Sequence, residues 1–223
     1  MGKYLKKFET QADYTEAQSS LILPNVSFIT ENNKVAYNPY VDPYAGHEYV
    51  DFGLPSGTKW ATMNVGASSE TDFGNYYQYG KGAAQYAATS GDSIYSGTEQ
   101  PLAASADTAV QVWGGQWHTP TKAQFNELIN NTNFEWATIN GVKGGKFISK
   151  TDSSKYIFLP ESGRYENGAI IGVGVYCQCW ASFNGGSATT SILMGFSDNF
   201  EYPATFGARR DEGLSVRPVI NVQ

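Results

Sequence analysis

Short apolar stretches separated by turn residues recur along most of the chain, a pattern typical of β-strands. It predicts strands at residues 49–52, 58–63, 136–139, 146–149, 156–159, 173–182, 190–197 and 215–219. Residues 64–112 differ, because they are rich in Gly, Ala, Ser and Tyr and show only weak periodicity. Residues 204–213 are polar and irregular. Both of these segments are predicted to be loops.

One segment of the chain has helical spacing. Three apolar residues at positions i, i+3 and i+4 form a stripe that starts at Phe125. Thr121 and Gln124 stand at the spacing of a capping box, and the amide pair at residues 130–131 predicts the helix end. One dominant helix among about eight strands predicts the α+β class rather than a β-sandwich or a βαβ repeat.

Residues 1–45 form a distinct N-terminal segment in this interpretation, and residues 46–223 form the main domain. The dipeptides Asn38-Pro39 and Asp42-Pro43 mark the boundary between them. Within the segment the sequence predicts a helix at residues 10–19, strands at 21–23, 26–29 and 35–37, and a hairpin turn at 31–34. So small a unit cannot bury its own apolar side. We therefore expect it to pack on the main domain, on copies of itself or on a larger particle.

Charge and composition exclude several classes of protein. The 223 residues carry 21 acidic and 15 basic side chains, a net charge of −6, so we expect no nucleic-acid partner. No apolar run approaches the roughly 18 residues of a membrane helix, so no membrane insertion is predicted. The first residues lack the apolar core of a secretory signal. The chain is therefore expected to stay in the compartment where it is made, unless it leaves within an assembly.

Residues with catalytic or metal-binding chemistry are sparse. The glycine-rich stretch at residues 74–82 departs from a phosphate-binding loop, because no Ser or Thr follows its Lys. The chain has two histidines, and His118 is expected to be structural, beside the predicted helix start. Cys177 and Cys179 are expected to be buried thiols rather than a metal site. The sequence thus predicts a protein that is not an enzyme and has no cofactor or metal.

Aromatic and amide side chains crowd the C-terminal third of the chain. Large rigid rings and adaptable amides on loops are typical of binding surfaces. About half of the aromatic rings are expected to be ordinary core residues. Gln178 shares a strand face with Trp180 and Ser182, so it could equally be a core amide. The predicted ligand-binding residues are Tyr165, Asn167, Tyr176, Gln178, Phe183, Asn184, Asn199, Tyr202, Arg209 and Asp211.

Motifs in residues 47–220 resemble a domain of gut anaerobes and their phages that is related to the C-type-lectin fold and to formylglycine-generating enzymes. The motifs are Tyr49-Val-Asp-Phe-Gly-Leu-Pro-Ser-Gly-Thr-Lys-Trp-Ala-Thr62, Asn64-Val-Gly66, Trp117-x-x-Pro120-Thr121, Ile157-Phe-Leu-Pro160, Cys179-Trp-Ala-Ser182 and Gly213-Leu-Ser-Val-Arg-Pro-Val219. The resemblance implies a C-type-lectin-like fold with one or two helices, twisted antiparallel sheets and long loops. It also implies a ligand surface near the C-terminal strands. Trp60, Trp117, Trp180 and Arg217 occupy framework positions of that family and are expected in the core.

The chain departs from this family at positions that carry chemistry. His118 stands where the family usually has Arg. The calcium-binding tripeptides of sugar-binding C-type lectins are absent, so the resemblance does not imply calcium-dependent sugar binding. The cysteine pair of the sulfatase-activating oxidases is spaced more widely than Cys177 and Cys179.

The N-terminal segment resembles the start of structural proteins of phages that infect gut anaerobes, at Lys3-Tyr-Leu-Lys-Lys-Phe8, Leu23-Pro-Asn-Val-Ser27 and Tyr37-Asn-Pro39. The leading hypothesis is a homotrimeric virion surface protein, either a head fibre or a tail-associated decoration or receptor-binding protein. It would attach to other virion proteins through residues 1–45 and bind a cell-surface glycan or protein. The alternatives are a bacterial surface adhesin with the same domain and a formylglycine-generating-like oxidase.

Overall fold

The computed structural model describes residues 28–31, 34–37, 44–83, 94–185, 187–197 and 199–221. The chain divides into two units, Met1–Gly46 and His47–Gln223. In the first unit, strand β1 (Phe28–Glu31) pairs antiparallel with β2 (Lys34–Tyr37), with Glu31 opposite Lys34. These strands confirm the predicted hairpin pairing. The predicted helix at residues 10–19 and the strand at 21–23 lie outside the described residues.

The second unit contains thirteen strands and two helices in the part that the structure describes. The strands are β3 (Tyr49–Val50), β4 (Thr58–Ala61), β5 (Tyr77–Gln78), β6 (Thr132–Ile139), β7 (Val142–Ser149), β8 (Tyr156–Pro160), β9 (Arg164–Glu166), β10 (Ala169–Ile171), β11 (Tyr176–Asn184), β12 (Thr190–Ser197), β13 (Phe200–Arg209), β14 (Gly213–Leu214) and β15 (Val219–Asn221). The helices are α1 (Thr108–Val112) and α2 (Lys122–Asn131).

These strands form four antiparallel sheets. Three of the sheets have three strands, in the orders β6-β7-β8, β11-β12-β13 and β15-β4-β3. The fourth sheet has the order β10-β9-β14-β5. Because β6, β7 and β8 follow one another as hairpins, and β11, β12 and β13 do the same, most pairings join neighbours in the sequence.

The predicted α+β class and C-type-lectin-like fold are wrong. The structure is mostly antiparallel β-sheet, with about 40% strand and 9% helix, and its sheets do not close. The architecture is β-rich and mostly sandwich-like. The physical reason is that one ten-residue helix is too small to form a layer of its own, so the sheets pack mainly on one another.

Strand β13 adds β-structure that the sequence analysis did not predict. Residues 204–213 were expected to be irregular, yet Ala204, Thr205 and Phe206 pair with β12 in a regular antiparallel ladder. The loop prediction rested on the polar and irregular sequence of this segment. Because β13 is an edge strand, it also tolerates Pro203, which has no N–H to donate to a ladder.

Helix α2 forms where the sequence predicts it. Thr121 is the N-cap, its side chain accepts from the Gln124 backbone N–H, and the Gln124 side chain accepts from the Thr121 N–H. The helix ends at Asn131. The capping box and the end of the helix are therefore confirmed.

The main core lies between the sheets β6-β7-β8 and β11-β12-β13, with α2 packed against it. The ring of Phe196 on β12 lies 5.2 Å from that of Phe134 on β6 and 6.3 Å from that of Phe147 on β7. The buried members of this cluster are Phe52, Leu54, Trp60, Phe125, Leu128, Phe147, Ile157, Leu159, Cys177, Cys179, Ala181, Met194, Phe196 and Val219.

The four framework residues are buried, as the sequence predicts. Trp60, Trp117, Trp180 and Arg217 are all at most 2% exposed. The Arg217 guanidinium donates to Asn64 Oδ1 and to the backbone oxygens of residues 61, 62 and 158. This buried cation thereby connects three segments of the chain through hydrogen bonds to uncharged oxygens.

Candidate functional site

One face of the sheet β11-β12-β13 is only partly covered. On β11, Cys177 and Cys179 point into the core, so Gln178 and Trp180 point to the opposite face. The Trp180 end of that face is covered, because Trp180 Nε1 donates to the Tyr77 oxygen at 2.7 Å and the Tyr79 ring lies 5.3 Å away. The end that carries Gln178 forms the floor of a groove.

The groove consists of two adjoining depressions of about 250 and 390 Å³. Arg164, Gln178 and Phe206 line both of them. The remaining residues of the first depression are Val175, Tyr176, Cys177, Phe196, Ser197 and Asn199. Those of the second are Thr190, Leu193, Gly207, Ala208, Arg209 and Glu212. This combined surface is called the Gln178 groove below.

Small residues keep the groove open beside Gln178. Its neighbour on β12 is Gly195, whose own neighbour on β13 is Ala204. A Cβ at Gly195 would lie 2.7 Å from the Cys177 oxygen, so a larger residue there would displace the strand. The side chain of Gln178 therefore has no bulky cross-strand neighbour at that position.

Gln178 carries a buried and unsatisfied acceptor. The residue is 8% exposed, and its Oε1 atom has no hydrogen-bond partner among the residues that the structure describes. A buried polar atom without a partner costs about 1–3 kcal/mol of stability. Gln178 thus differs from Gln124, which is similarly buried but has both ends of its amide hydrogen-bonded.

Charged side chains form one rim of the groove. Arg164 contacts Glu166 at 2.7 Å and Glu212 at 3.8 Å, and its guanidinium lies 5.6 Å from the ring centre of Tyr176. Arg209 Nε donates to Asp211 at 2.9 Å. Two cations thus face three carboxylates, and the rim attracts neither an anion nor a polycation strongly.

Burial and ion pairing shift the pKa values of two neighbouring carboxyl groups on this rim in opposite directions. Burial raises the pKa of Glu212 above its usual value. The hydrogen bond from Arg209 lowers the pKa of Asp211 below its usual value. Asp211 is therefore firmly ionised, whereas Glu212 takes up a proton more easily than an ordinary glutamate.

The structure brings several predicted site residues together. Tyr176, Gln178, Asn199 and Arg209 all line the Gln178 groove. Asp211 stands at its rim as the partner of Arg209. Tyr165 does not line the groove, because it alternates on β9 with Arg164 and Glu166 and its side chain points away from theirs.

Other predicted site residues have different roles or positions. Asn167 has a positive φ of 50° in the turn between β9 and β10, a conformation that asparagine tolerates, so it has a structural reason for its place. Phe183 packs against the core cluster. Tyr202 is 68% exposed and outside the groove lining. The side chain of Asn184 lies outside the described part of the structure.

Most residues that line the groove were not predicted as site residues, among them Arg164, Phe206 and Glu212. Arg164 was not considered, and Phe206 belonged to the crowded aromatic region but not to the predicted site. Glu212, which follows Asp211 in the sequence, was expected to be a solvated loop charge. The alternation of Arg164 and Glu166 around Tyr165 is a signal that could have found the charged face of β9. No comparable local pattern marks Glu212, which lies between β13 and β14 and contacts Arg164 on β9, a strand distant in the sequence.

The cysteines occupy the position expected for buried thiols. Both are free, they are at most 1% exposed, and their sulphur atoms lie 3.9 Å apart. Burial raises the pKa of the Cys177 thiol well above its usual value. His118 is also structural, since its ring contacts the Gln124 amide at 3.3 Å beside the start of α2.

Within the described ranges, no cluster of His, Cys, Asp and Glu has the arrangement of a metal site. In the same residues, no helix is long and apolar enough to cross a membrane. Comparisons of the chain with family models, with curated proteins and with solved structures find no match.

Proposed function

We propose that this chain is a non-enzymatic binding protein whose Gln178 groove binds a hydroxyl-rich ligand, such as a cell-surface glycan. The observation that carries the proposal is the unpartnered Oε1 of Gln178 in an open groove. A ligand hydroxyl that donates to this atom would remove the cost of its burial. The Phe206 and Tyr176 rings beside it offer apolar area for the faces of a sugar.

Charge balance at the rim supports a neutral ligand. Two arginines and three carboxylates already pair with one another, so a strongly charged ligand would have to break existing ion pairs. Hydroxyl groups can both donate to these carboxylates and accept from these guanidinium groups. A neutral carbohydrate therefore fits the rim better than a phosphate or a basic peptide.

The setting that we propose for this binding is a virion surface. Its support is the resemblance of residues 1–45 to phage structural proteins, which also predicts attachment through that segment and assembly as a trimer. A bacterial surface adhesin is the alternative setting. Capsid and portal genes beside the gene for this chain would support the virion, and a secretion signal in the full gene would support the adhesin.

The groove is tested by an alanine scan of Tyr176, Asn184, Asn199, Tyr202 and Arg209 in the full chain. Binding is measured on a printed glycan array and on cells of gut anaerobes. Substitution of Tyr176, Asn199 or Arg209 is expected to weaken binding, by about tenfold or more for an anchor residue. Tyr202→Ala is the control, because this residue is exposed outside the groove. Unchanged binding for all five variants, with melting temperatures preserved, would place the site elsewhere.

A further inference from the structure

A second groove lies on the sheet β6-β7-β8. Its volume is about 210 Å³, and its lining residues are Trp136, Ala137, Thr138, Lys143, Gly144 and Glu161. None of them lines the Gln178 groove. It is called the Trp136 groove below.

The strand register explains why a groove forms here. Trp136 on β6 stands opposite Gly145 on β7, which stands opposite Leu159 on β8. A Cβ at Gly145 would lie 2.3 Å from the Phe134 ring and 2.9 Å from the Phe196 ring. Because Gly145 has no side chain, the Phe134 and Phe196 rings fit at this position. Both rings contact the Trp136 indole from the core side.

The indole of Trp136 is held in a defined orientation. It makes edge-to-face contacts with Phe134 at 5.2 Å and with Phe196 at 5.5 Å, at interplanar angles of 80° and 81°. The residue is nevertheless 44% exposed, whereas the other four tryptophans are at most 8% exposed. A rigid ring with exposed area is a preorganised stacking platform, because little conformational entropy is lost when a ligand binds.

Polar groups of both signs lie beside this ring. Thr138 and Lys143 form the next cross-strand pair on the same face of the sheet, and the Glu161 N–H donates to the Lys143 oxygen at 2.8 Å. Glu161 is 1% exposed, whereas Thr138 and Lys143 are exposed. The groove thus presents an ammonium donor and a hydroxyl beside one apolar face, and the carboxylate oxygens of Glu161 are buried next to them.

We propose that the Trp136 groove binds a single pyranose ring of a glycan, as a site separate from the Gln178 groove. The apolar face of the sugar stacks on the indole of Trp136. Its hydroxyls donate to the Thr138 hydroxyl and accept from the Lys143 ammonium. A neutral ring fits because the carboxylate disfavours an anion and the ammonium disfavours a cation. The volume accommodates one ring and little more.

The first test uses the natural fluorescence of the full chain. Trp136 is the exposed tryptophan, so acrylamide quenches its emission preferentially. The probes are methyl α- and β-pyranosides of glucose, galactose, mannose, N-acetylglucosamine and fucose at millimolar concentration. At least one of them is expected to reduce the quenchable fraction and to shift the emission to shorter wavelength. No change with any member of the panel would overturn the proposal.

The second test measures the affinity of the active pyranoside by saturation-transfer NMR. Trp136→Leu and Lys143→Gln are each expected to weaken it by about tenfold or more. Lys146→Gln is the matched control, because Lys146 lies on the same strand with its Nζ 4.0 Å from the Tyr156 ring centre, outside the groove lining. Full affinity in both Trp136→Leu and Lys143→Gln would overturn the proposal.

One further variant distinguishes binding in the Trp136 groove from binding in the Gln178 groove, which is the site of the proposed function. Arg209→Ala alters the Gln178 groove and is expected to leave pyranoside binding at Trp136 unchanged. If Arg209→Ala abolishes the pyranoside signal while Trp136→Leu preserves it, the sugar binds in the Gln178 groove and the Trp136 site is refuted. Loss of glycan-array binding in Arg209→Ala, with the fluorescence response intact, supports two independent sites.

Discussion

At the scale of single residues, two buried glutamines show how the same side chain serves different purposes. Gln124 satisfies its amide through the capping box of α2 and through Thr58. Gln178 leaves its Oε1 without a partner at the floor of a groove. Because an unsatisfied buried acceptor reduces stability, the proposed function expects this atom to accept a hydrogen bond from the ligand.

Gln178→Met is expected to raise the free energy of unfolding by about 1 kcal/mol, because it removes an unsatisfied buried acceptor at nearly constant volume. The same change should abolish binding to the glycan array. Urea denaturation and array binding measure the two effects. Gln124→Met is the control, expected to lose about 1–2 kcal/mol with its capping box. A loss of stability in Gln178→Met would show that this amide is satisfied in the folded protein.

Glu212 gives the stability a pH dependence of predictable sign. Its pKa in the folded chain lies above the usual 4.5, so the folded state binds this proton more tightly than the unfolded state. The free energy of unfolding that it contributes is fully present below pH 4.5 and is lost as the pH rises through the folded pKa. Glu212→Gln should therefore remove this loss and be more stable than the natural chain at neutral pH.

Urea denaturation over a pH series measures this difference. Asp211→Asn serves as the counterpart, because Arg209 lowers the pKa of Asp211. Asp211 contributes to the free energy of unfolding above its unfolded pKa of about 3.8, and this contribution is lost as the pH falls through its folded pKa. If Glu212→Gln proved less stable at neutral pH, its ion pair with Arg164 would outweigh the cost of burial.

At the scale of elements, helix α1 depends on a single carboxylate. Asp107 is 2% exposed, and its Oδ1 accepts from the Ala109 N–H at 2.9 Å and from Thr119 Oγ1 at 2.7 Å. Both oxygens also accept from the Thr119 N–H at 3.0 Å. One side chain thus caps a five-residue helix and attaches it to the segment before α2.

Asp107→Ala is expected to lower the free energy of unfolding by about 3 kcal/mol or more, because it leaves several buried donors without an acceptor. Asp107→Asn should cost less, since its amide oxygen still accepts. Chemical denaturation of both variants measures this order. Asp152→Ala is the control: this carboxylate lies on the surface, so the change should stay within about 0.5 kcal/mol. Equal stability of Asp107→Ala and the natural chain would contradict the prediction.

Prediction from sequence was most accurate for elements whose signals are local. The capping box at Thr121 and strand β12 appear where the sequence places them, because a helix cap and a strand bounded by turns depend on a few neighbouring residues. Strand β13 was missed because its pairing with β12 outweighs the poor strand propensity of Pro203 and Gly207.

At the scale of the whole molecule, the chain consists of two units that divide after Gly46. We expect a chain of residues 47–223 to melt at the same temperature as the main unit of the full protein and to remain monomeric. The reason is that the core described above lies within residues 47–223. Thermal melts and light scattering measure this. A much lower melting temperature or aggregation would show that the N-terminal segment completes the core.

The sequence by itself determined helix α2, several of the strands and the buried framework, and it indicated part of the candidate site. Trp60 and Arg217 are buried as predicted, and Tyr176, Gln178 and Arg209 do meet in one groove. These features follow from short-range patterns and from motif positions along the chain.

Only the tertiary structure decided the class of the fold and the chemistry of the grooves. Whether sheets pack on one another depends on contacts between distant strands, such as those of Phe196 with Phe134 and Phe147, which no local pattern reports. Likewise, an unsatisfied acceptor at Gln178 and an exposed ring at Trp136 exist only once their neighbours are in place. Burial and hydrogen bonding are properties of the packed molecule, so the sequence alone could not supply them.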